Sequence, residues 1–220
     1  SVLEALYSTP AGKNTIVIVL ADHGDGMGSH RMVTKQVSFY EEMTNVPFII
    51  AGPGIHPRQK PVEDLLTQPT IDLLPTLCEL AGIPVPSSKP GISLAPFLKG
   101  EKQKRQHPYA ASEWHSEYEV TVSPGRMIRS PRYKYTHYLE GNGEELYDML
   151  KDKGERRNLA HDPKYSKILA EHRALLDDYI RRTQDDYRSL KVEADKRWRS
   201  HAPGYPNHEG PCARDIINRK

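Results

Sequence analysis

The chain has 220 residues, with 31 Lys and Arg against 29 Asp and Glu, a formal net charge of +2, and 37% hydrophobic residues. No block of one sign occurs, which excludes a polybasic nucleic-acid binder, and the longest apolar run, residues 15–21, is far short of the ~18–20 that cross a bilayer. No basic-then-apolar leader precedes that run, so no signal peptide is expected, and two cysteines, Cys78 and Cys212, make neither a disulfide framework nor a zinc cluster by themselves.

Residues 2–7 read as the last turns of an amphipathic helix, stopped by Pro10 and Gly12. Thr15-Ile16-Val17-Ile18-Val19-Leu20 is apolar or β-branched throughout, the pattern of a strand covered on both faces in a parallel sheet. A Gly-rich polar loop runs from Asp22 to Ser29, a helix is expected over 33–42, and Pro47–Ala51 makes a second short buried strand. This alternation is the interior of a doubly wound α/β sheet rather than its start. Helical spacing over Thr70–Ala81 puts Ile71, Leu74, Leu77, Cys78 and Ala81 on the core face, with Gly82 as terminator and Pro75 as a kink.

Prolines make residues 84–108 a surface connection. Met127–Arg129 and Tyr133–Tyr138 are short strands suited to a small antiparallel sheet. A long helix follows from Lys164 to about Arg188, with Ile168, His172, Leu175, Leu176, Tyr179 and Ile180 on one stripe. Three regions result: 1–108, the C-terminal part of an α/β domain; 109–188, a small α+β subdomain; and 189–220, a polar tail.

The chemistry concentrates at Asp22-His23-Gly24, where a buried strand ends and ligands of open α/β sheets bind. A carboxylate and a neutral imidazole side by side can both ligate one divalent ion. The same three residues also suit a plain turn, with Asp22 capping the next helix and His23 at the surface. His30 and Lys35 follow: a lysine near a metal suits a tetrahedral anion, and a histidine can protonate a leaving oxygen. The loop is not a P-loop, since it lacks Gly-Lys-Ser/Thr, and it is not a dinucleotide fingerprint, since Arg31 stands where the third glycine belongs. Nor is it an EF-hand, whose twelfth position would be Val33.

Taken in order, Asn14 to Gly24, Met27-Gly28-Ser29-His30, Lys35, Tyr40-Glu41-Glu42 and Val46 to Ile50 resemble the sulfatases of the alkaline-phosphatase superfamily. Asp72 to Leu77 with Leu80-Ala81-Gly82, Met127-Ile128-Arg129 with Tyr133-Lys134-Tyr135, and Glu145 to Met149 with Arg157 to Ala160 extend the resemblance to roughly residues 2–185. It implies the C-terminal portion of an alkaline-phosphatase-like doubly wound sheet, plus a small antiparallel sheet packed with a C-terminal helix. Asp22 and His23 would be ligands of a divalent metal, most often Ca²⁺. Lys35 would bind sulfate oxygens, and His30 would lie close to the substrate. The substrate class would be an organic sulfate, chiefly a sulfated sugar, and export to the periplasm, lysosome or cell exterior is expected by analogy.

The family's nucleophile is a formylglycine made within Cys/Ser-x-Pro/Ala-x-Arg, and this chain contains no such motif. The family's early acidic metal ligands are missing too. The chain therefore reads as a C-terminal part with half of a metal site, inactive alone, and with an exposed core edge through which two copies would dimerise. Two alternatives stand beside this reading. One is a phosphonate or phosphodiester hydrolase of the same superfamily; the other is a non-catalytic domain binding sulfated polysaccharide through Arg126, Arg129, Arg132 and Lys134.

Overall fold

The computed structural model describes residues 1–32, 38–62, 65–87, 90–101, 107–114, 124–139 and 143–189. Part of the helix expected over 33–42, Cys212 and the tail from 190 lie outside them. Two compact units emerge, one formed by residues 1–111 with 129–133, the other by 112–128 with the chain from 134 onward. The fold is mixed α/β with antiparallel sheets and a C-terminal helix.

In the first unit, helix α1 (Val2–Tyr7) precedes strand β1 (Val17–Leu20), and β2 (Phe48–Ala51) follows the short helix α2 (Glu41–Thr44). The strands pair antiparallel, Val17 opposite Ala51 and Leu20 opposite Phe48, as a two-stranded sheet. This corrects the parallel, doubly covered arrangement that the apolar run suggests. No side chain of the ladder is fully buried, and the cross-strand pair Val19 and Ile49 is 49% and 57% exposed. Gly52, at φ 147°, turns the chain beside the start of the ladder, where a Cβ would come within 2.7 Å of the Thr15 carbonyl.

Helix α3 (Pro69–Leu80) and helix α4 (Ala95–Leu98) complete this unit. The expected stripe on α3 is again corrected: Leu74 and Leu77 are exposed, while Asp72, Pro75 and Thr76 are buried. Asp72 explains the inversion. Its carboxylate accepts from the Gln68 and Ile92 amides at 2.8 and 2.9 Å and meets His107 Nε2 at 2.9 Å, and Thr76 Oγ1 accepts from the Leu94 amide. A polar stitch thus ties Ile92, Leu94 and His107 to the inner side of α3. The segment over 84–108 is accordingly not all surface connection, since Leu94 and Ala95 are buried.

Strands β3 (Ala110–Trp114), β4 (Gly125–Arg129), β5 (Tyr133–Tyr138) and β6 (Glu144–Asp148) form a four-stranded sheet in sequence order, followed by helix α5 (Ser166–Thr183). β4 and β5 contain the two strands expected from the sequence. Ile128, Tyr135, Leu146 and Leu176 are fully buried, with Met127, Tyr147, Leu159 and Leu169 nearly so. The stripe of α5 centres on Leu169, His172 and Leu176, one position from the expected start at Ile168. Burial lowers the His172 pKa, so that ring is held neutral against the core.

Asn158 carries the Arg157-Asn158-Leu159-Ala160 motif. Its Nδ2 donates to the Glu144 carbonyl at 2.9 Å, and its Oδ1 accepts from the Leu146 and Ala160 amides. One side chain therefore stands in for a neighbouring strand along β6.

Candidate metal and anion site

β1 delivers its chain end into the loop from Asp22 to Arg31. Asp22 Oδ1 accepts from the His23 amide at 3.0 Å, and its side chain is 86% exposed. His23 Nδ1 lies 2.8 Å from the Gly24 carbonyl, so the tautomer that bonds there carries its proton on Nδ1. Its Nε2 stands 3.3 Å from Asp22 Oδ2 and is a lone-pair donor in the neutral ring. A hard anionic oxygen and a neutral imidazole nitrogen, both accessible and side by side, fit two positions around one divalent cation. They do not complete a coordination sphere. The plain-turn reading of this tripeptide accounts for the Asp22 amide bond, and a protonated His23 ring would pair with Asp22 at the same distance.

The loop is built so that these two donors keep their place. The Gly24 amide donates to the Met43 carbonyl of α2 at 2.9 Å, and a Cβ at Gly24 would fall 1.7 Å from the Glu42 carbonyl oxygen. Only glycine lets the loop approach α2 so closely. Gly26 packs on the buried Met32, and the Met27 amide bonds Asp25 Oδ1. At the far end, His30 stacks on Tyr40 and approaches Glu42. Glu41, at the first turn of α2, is 3.7 Å from Arg129.

Of the four residues singled out in the sequence, Asp22 and His23 come together, while His30 turns into the protein with its side chain 15% exposed. Lys35 lies outside the described residues. Tyr40-Glu41-Glu42, which the sequence marks only through the family resemblance, support the loop. The signal was their position, directly before the second strand, where α2 meets the loop.

The basic face considered for polysaccharide binding is corrected by the structure. Arg126 is buried, with its guanidinium forked onto Asp185 at 2.6 and 2.8 Å, and Lys134 is buried 2.9 Å from Glu155. Arg129 faces Glu41, and the Arg132 guanidinium sits over the Tyr133 ring. Arg126, Arg129 and Lys134 each face a carboxylate and Arg132 lies at the surface over a ring, so the run of basic residues does not form one continuous basic face. No helix among the described residues is long and apolar enough to cross a membrane.

The chain belongs to the family "N-sulphoglucosamine sulphohydrolase, C-terminal", whose pattern it matches over residues 28–182. It is 77% identical over all 220 residues to the Delta 4,5-hexuronate-2-O-sulfatase of Bacteroides thetaiotaomicron, covering 46% of that protein. The structure of a 2-O glycosaminoglycan sulfatase superposes with a TM-score of 0.86 at 77% identity, over 98% of this chain and 46% of the other. A phosphonate monoester hydrolase from Silicibacter pomeroyi is also similar, with a TM-score of 0.72 at 26% identity over 86% of this chain and 39% of the other. The chain thus spans about half the length of these relatives.

Proposed function

We propose that these 220 residues are the C-terminal part of a sulfuric ester hydrolase that removes a 2-O-sulfate from an unsaturated hexuronate of sulfated glycosaminoglycans. The observation that carries this reading is the 77% identity, over all 220 residues, to a protein of that activity. The phosphonate alternative rests on far lower identity, 26%. On this reading β1 and β2 belong to a larger doubly wound sheet, and the complete protein is exported.

Asp22 and His23 would hold two positions of a divalent metal, one through an anionic oxygen and one through an imidazole nitrogen, with Ca²⁺ the ion that the family resemblance implies. When bound, that ion supplies positive charge against the sulfate oxygens. Asp22 contributes the negative charge that holds the cation, and the His23 Nδ1–Gly24 bond keeps Nε2 free to ligate. Lys35 is assigned to the sulfate oxygens, where an ammonium stabilises charge that develops in the transition state. The nucleophile is a formylglycine elsewhere in the complete polypeptide, so the 220 residues alone are inactive. In isolation, the open face of the β1–β2 ladder is the surface through which two copies would dimerise.

The test is sulfate release by the complete gene product from a Δ4,5-unsaturated disaccharide sulfated at O2, against the same disaccharide sulfated at other positions and a phosphonate monoester. Release from the 2-O-sulfated substrate alone is expected. Hydrolysis of the phosphonate without sulfate release would move the chain to the alternative.

A further inference from the structure

Both ends of the Asp22–Arg31 loop land on the same short helix, α2 and its N-cap. Gly24 is fixed to the Met43 and Glu42 backbone, as described. Eight residues from Asp22, the loop returns: the His30 ring lies flat on Tyr40, with centroids 3.7 Å apart and planes 3° apart, and His30 Nε2 is 3.8 Å from Glu42. Tyr40 is itself buried, so the ring stacks on a side chain enclosed by the fold.

The return is made through unfavourable backbone. Met27, His30 and Arg31 have φ of 44°, 50° and 61°, and Gly28 has φ 96°. Left-handed conformations cost non-glycine residues on the order of 1–2 kcal/mol each and persist only where surrounding contacts dictate them. At His30 the foremost such contact is the ring stack on Tyr40. A stacked, mostly buried imidazole presents little of itself to a ligand, whereas Asp22 and His23 are open.

We infer that His30 is a positioning residue rather than one that touches substrate: with Tyr40 and Glu42 it clamps the loop that presents Asp22 and His23 to the metal. The aromatic face of His30 carries this role, and its capacity to transfer a proton does not. The inference rests on the reading of Asp22 and His23 as metal ligands. Loosening an outer support of a metal ligand commonly lowers affinity 10- to 100-fold.

The experiment measures Ca²⁺ affinity by calorimetric titration, together with kcat and KM for sulfate release, on the complete gene product and its variants. His30→Ala and Tyr40→Leu should each weaken Ca²⁺ binding by roughly 10-fold or more. His30→Phe keeps a flat ring on Tyr40 and should hold Ca²⁺ affinity and kcat within about 3-fold of the parent, as should Tyr40→Phe. If His30→Phe loses kcat as completely as His30→Ala while both bind Ca²⁺ normally, His30 acts on the substrate and the inference is overturned. Should His30→Ala fail to fold, His30→Phe and Tyr40→Phe still decide between the two roles. Absence of Ca²⁺ binding by the parent, or binding unchanged by Asp22→Ala, would instead defeat the metal reading itself.

Discussion

Ile128 and Leu146, in the four-stranded sheet, are fully buried, whereas Val19 and Ile49, in the two-stranded ladder, stand about half exposed. The side chains are chemically alike, and the ladder sequence is the more continuously apolar of the two. What differs is the cover. The four-stranded sheet is bordered by α5 through Tyr179 to Glu113 and Arg173 to Glu144, and the Asn158 side chain lies along β6. The ladder has one partner strand each way and an open face of Val17, Val19, Ile49 and Ala51. Isolated two-stranded ribbons are marginal in water. A run of β-branched residues thus reports the surroundings a strand is made for, and in relatives twice as long more chain is available to supply them.

The contrast can be broken most severely at Arg126. Its side chain spans the Asp185 carboxylate, the Trp114 and Gly125 carbonyls and the Tyr187 ring. Arg126→Met should destabilise the second unit by about 3–5 kcal/mol, because it leaves a mostly buried carboxylate without its cation. Urea unfolding followed by circular dichroism would read this, and a loss below about 1 kcal/mol would show the network to be dispensable. Leu176→Ala should cost about 3 kcal/mol in the same measurement, since the side chain is fully enclosed.

Acid sharpens the comparison. Arg173, hydrogen-bonded to Glu144, holds that carboxyl below its usual pKa, with the Tyr135 hydroxyl 2.5 Å away adding to the effect. Burial and the Glu144 carboxylate in turn push the Tyr135 phenol well up. A carboxylate with a depressed folded pKa contributes stability that is complete above its unfolded value, about 4.3, and is lost as pH falls through the folded value. The second unit should therefore weaken below about pH 4.3, and Glu144→Gln should flatten that part of the stability–pH curve. An unchanged curve would remove Glu144 from the acid response. The smallest effect belongs to the ladder: Val19→Ala in the 220-residue chain should change stability by about 0.5 kcal/mol or less, because water already reaches the side chain. A cost equal to that of Leu176→Ala would show that the face is covered, most simply by a second copy.

Much of the second unit was legible from local pattern, because its cover lies within the same chain. Tyr133–Tyr138 and the stripe around His172 and Leu176 follow ordinary strand and helix periodicities. β3 and β6 were not read as strands. Ala110–Trp114 is short and carries a charge, and Glu144–Asp148 begins with two glutamates whose partners, among them Arg173, are far along the chain. The α3 stripe misled for a different reason. Asp72 and Thr76 are buried by long-range bonds to Ile92, Leu94 and His107, which no helical period reveals. At the site, adjacency alone disclosed Asp22 and His23, because the pair is consecutive on a strand end. The support from Tyr40 and Glu42 was hidden, since it depends on a backward turn through left-handed residues.

The most direct test of the account is Ca²⁺ binding by the complete gene product, measured by calorimetric titration alongside release of 2-O-sulfate, for the parent and for Asp22→Ala. The account predicts a bound ion in the parent, with affinity falling at least about 100-fold and sulfate release nearly abolished in the variant. Unchanged affinity and unchanged sulfate release in Asp22→Ala would contradict it, and would return the Asp22–His23 pair to the status of a surface turn.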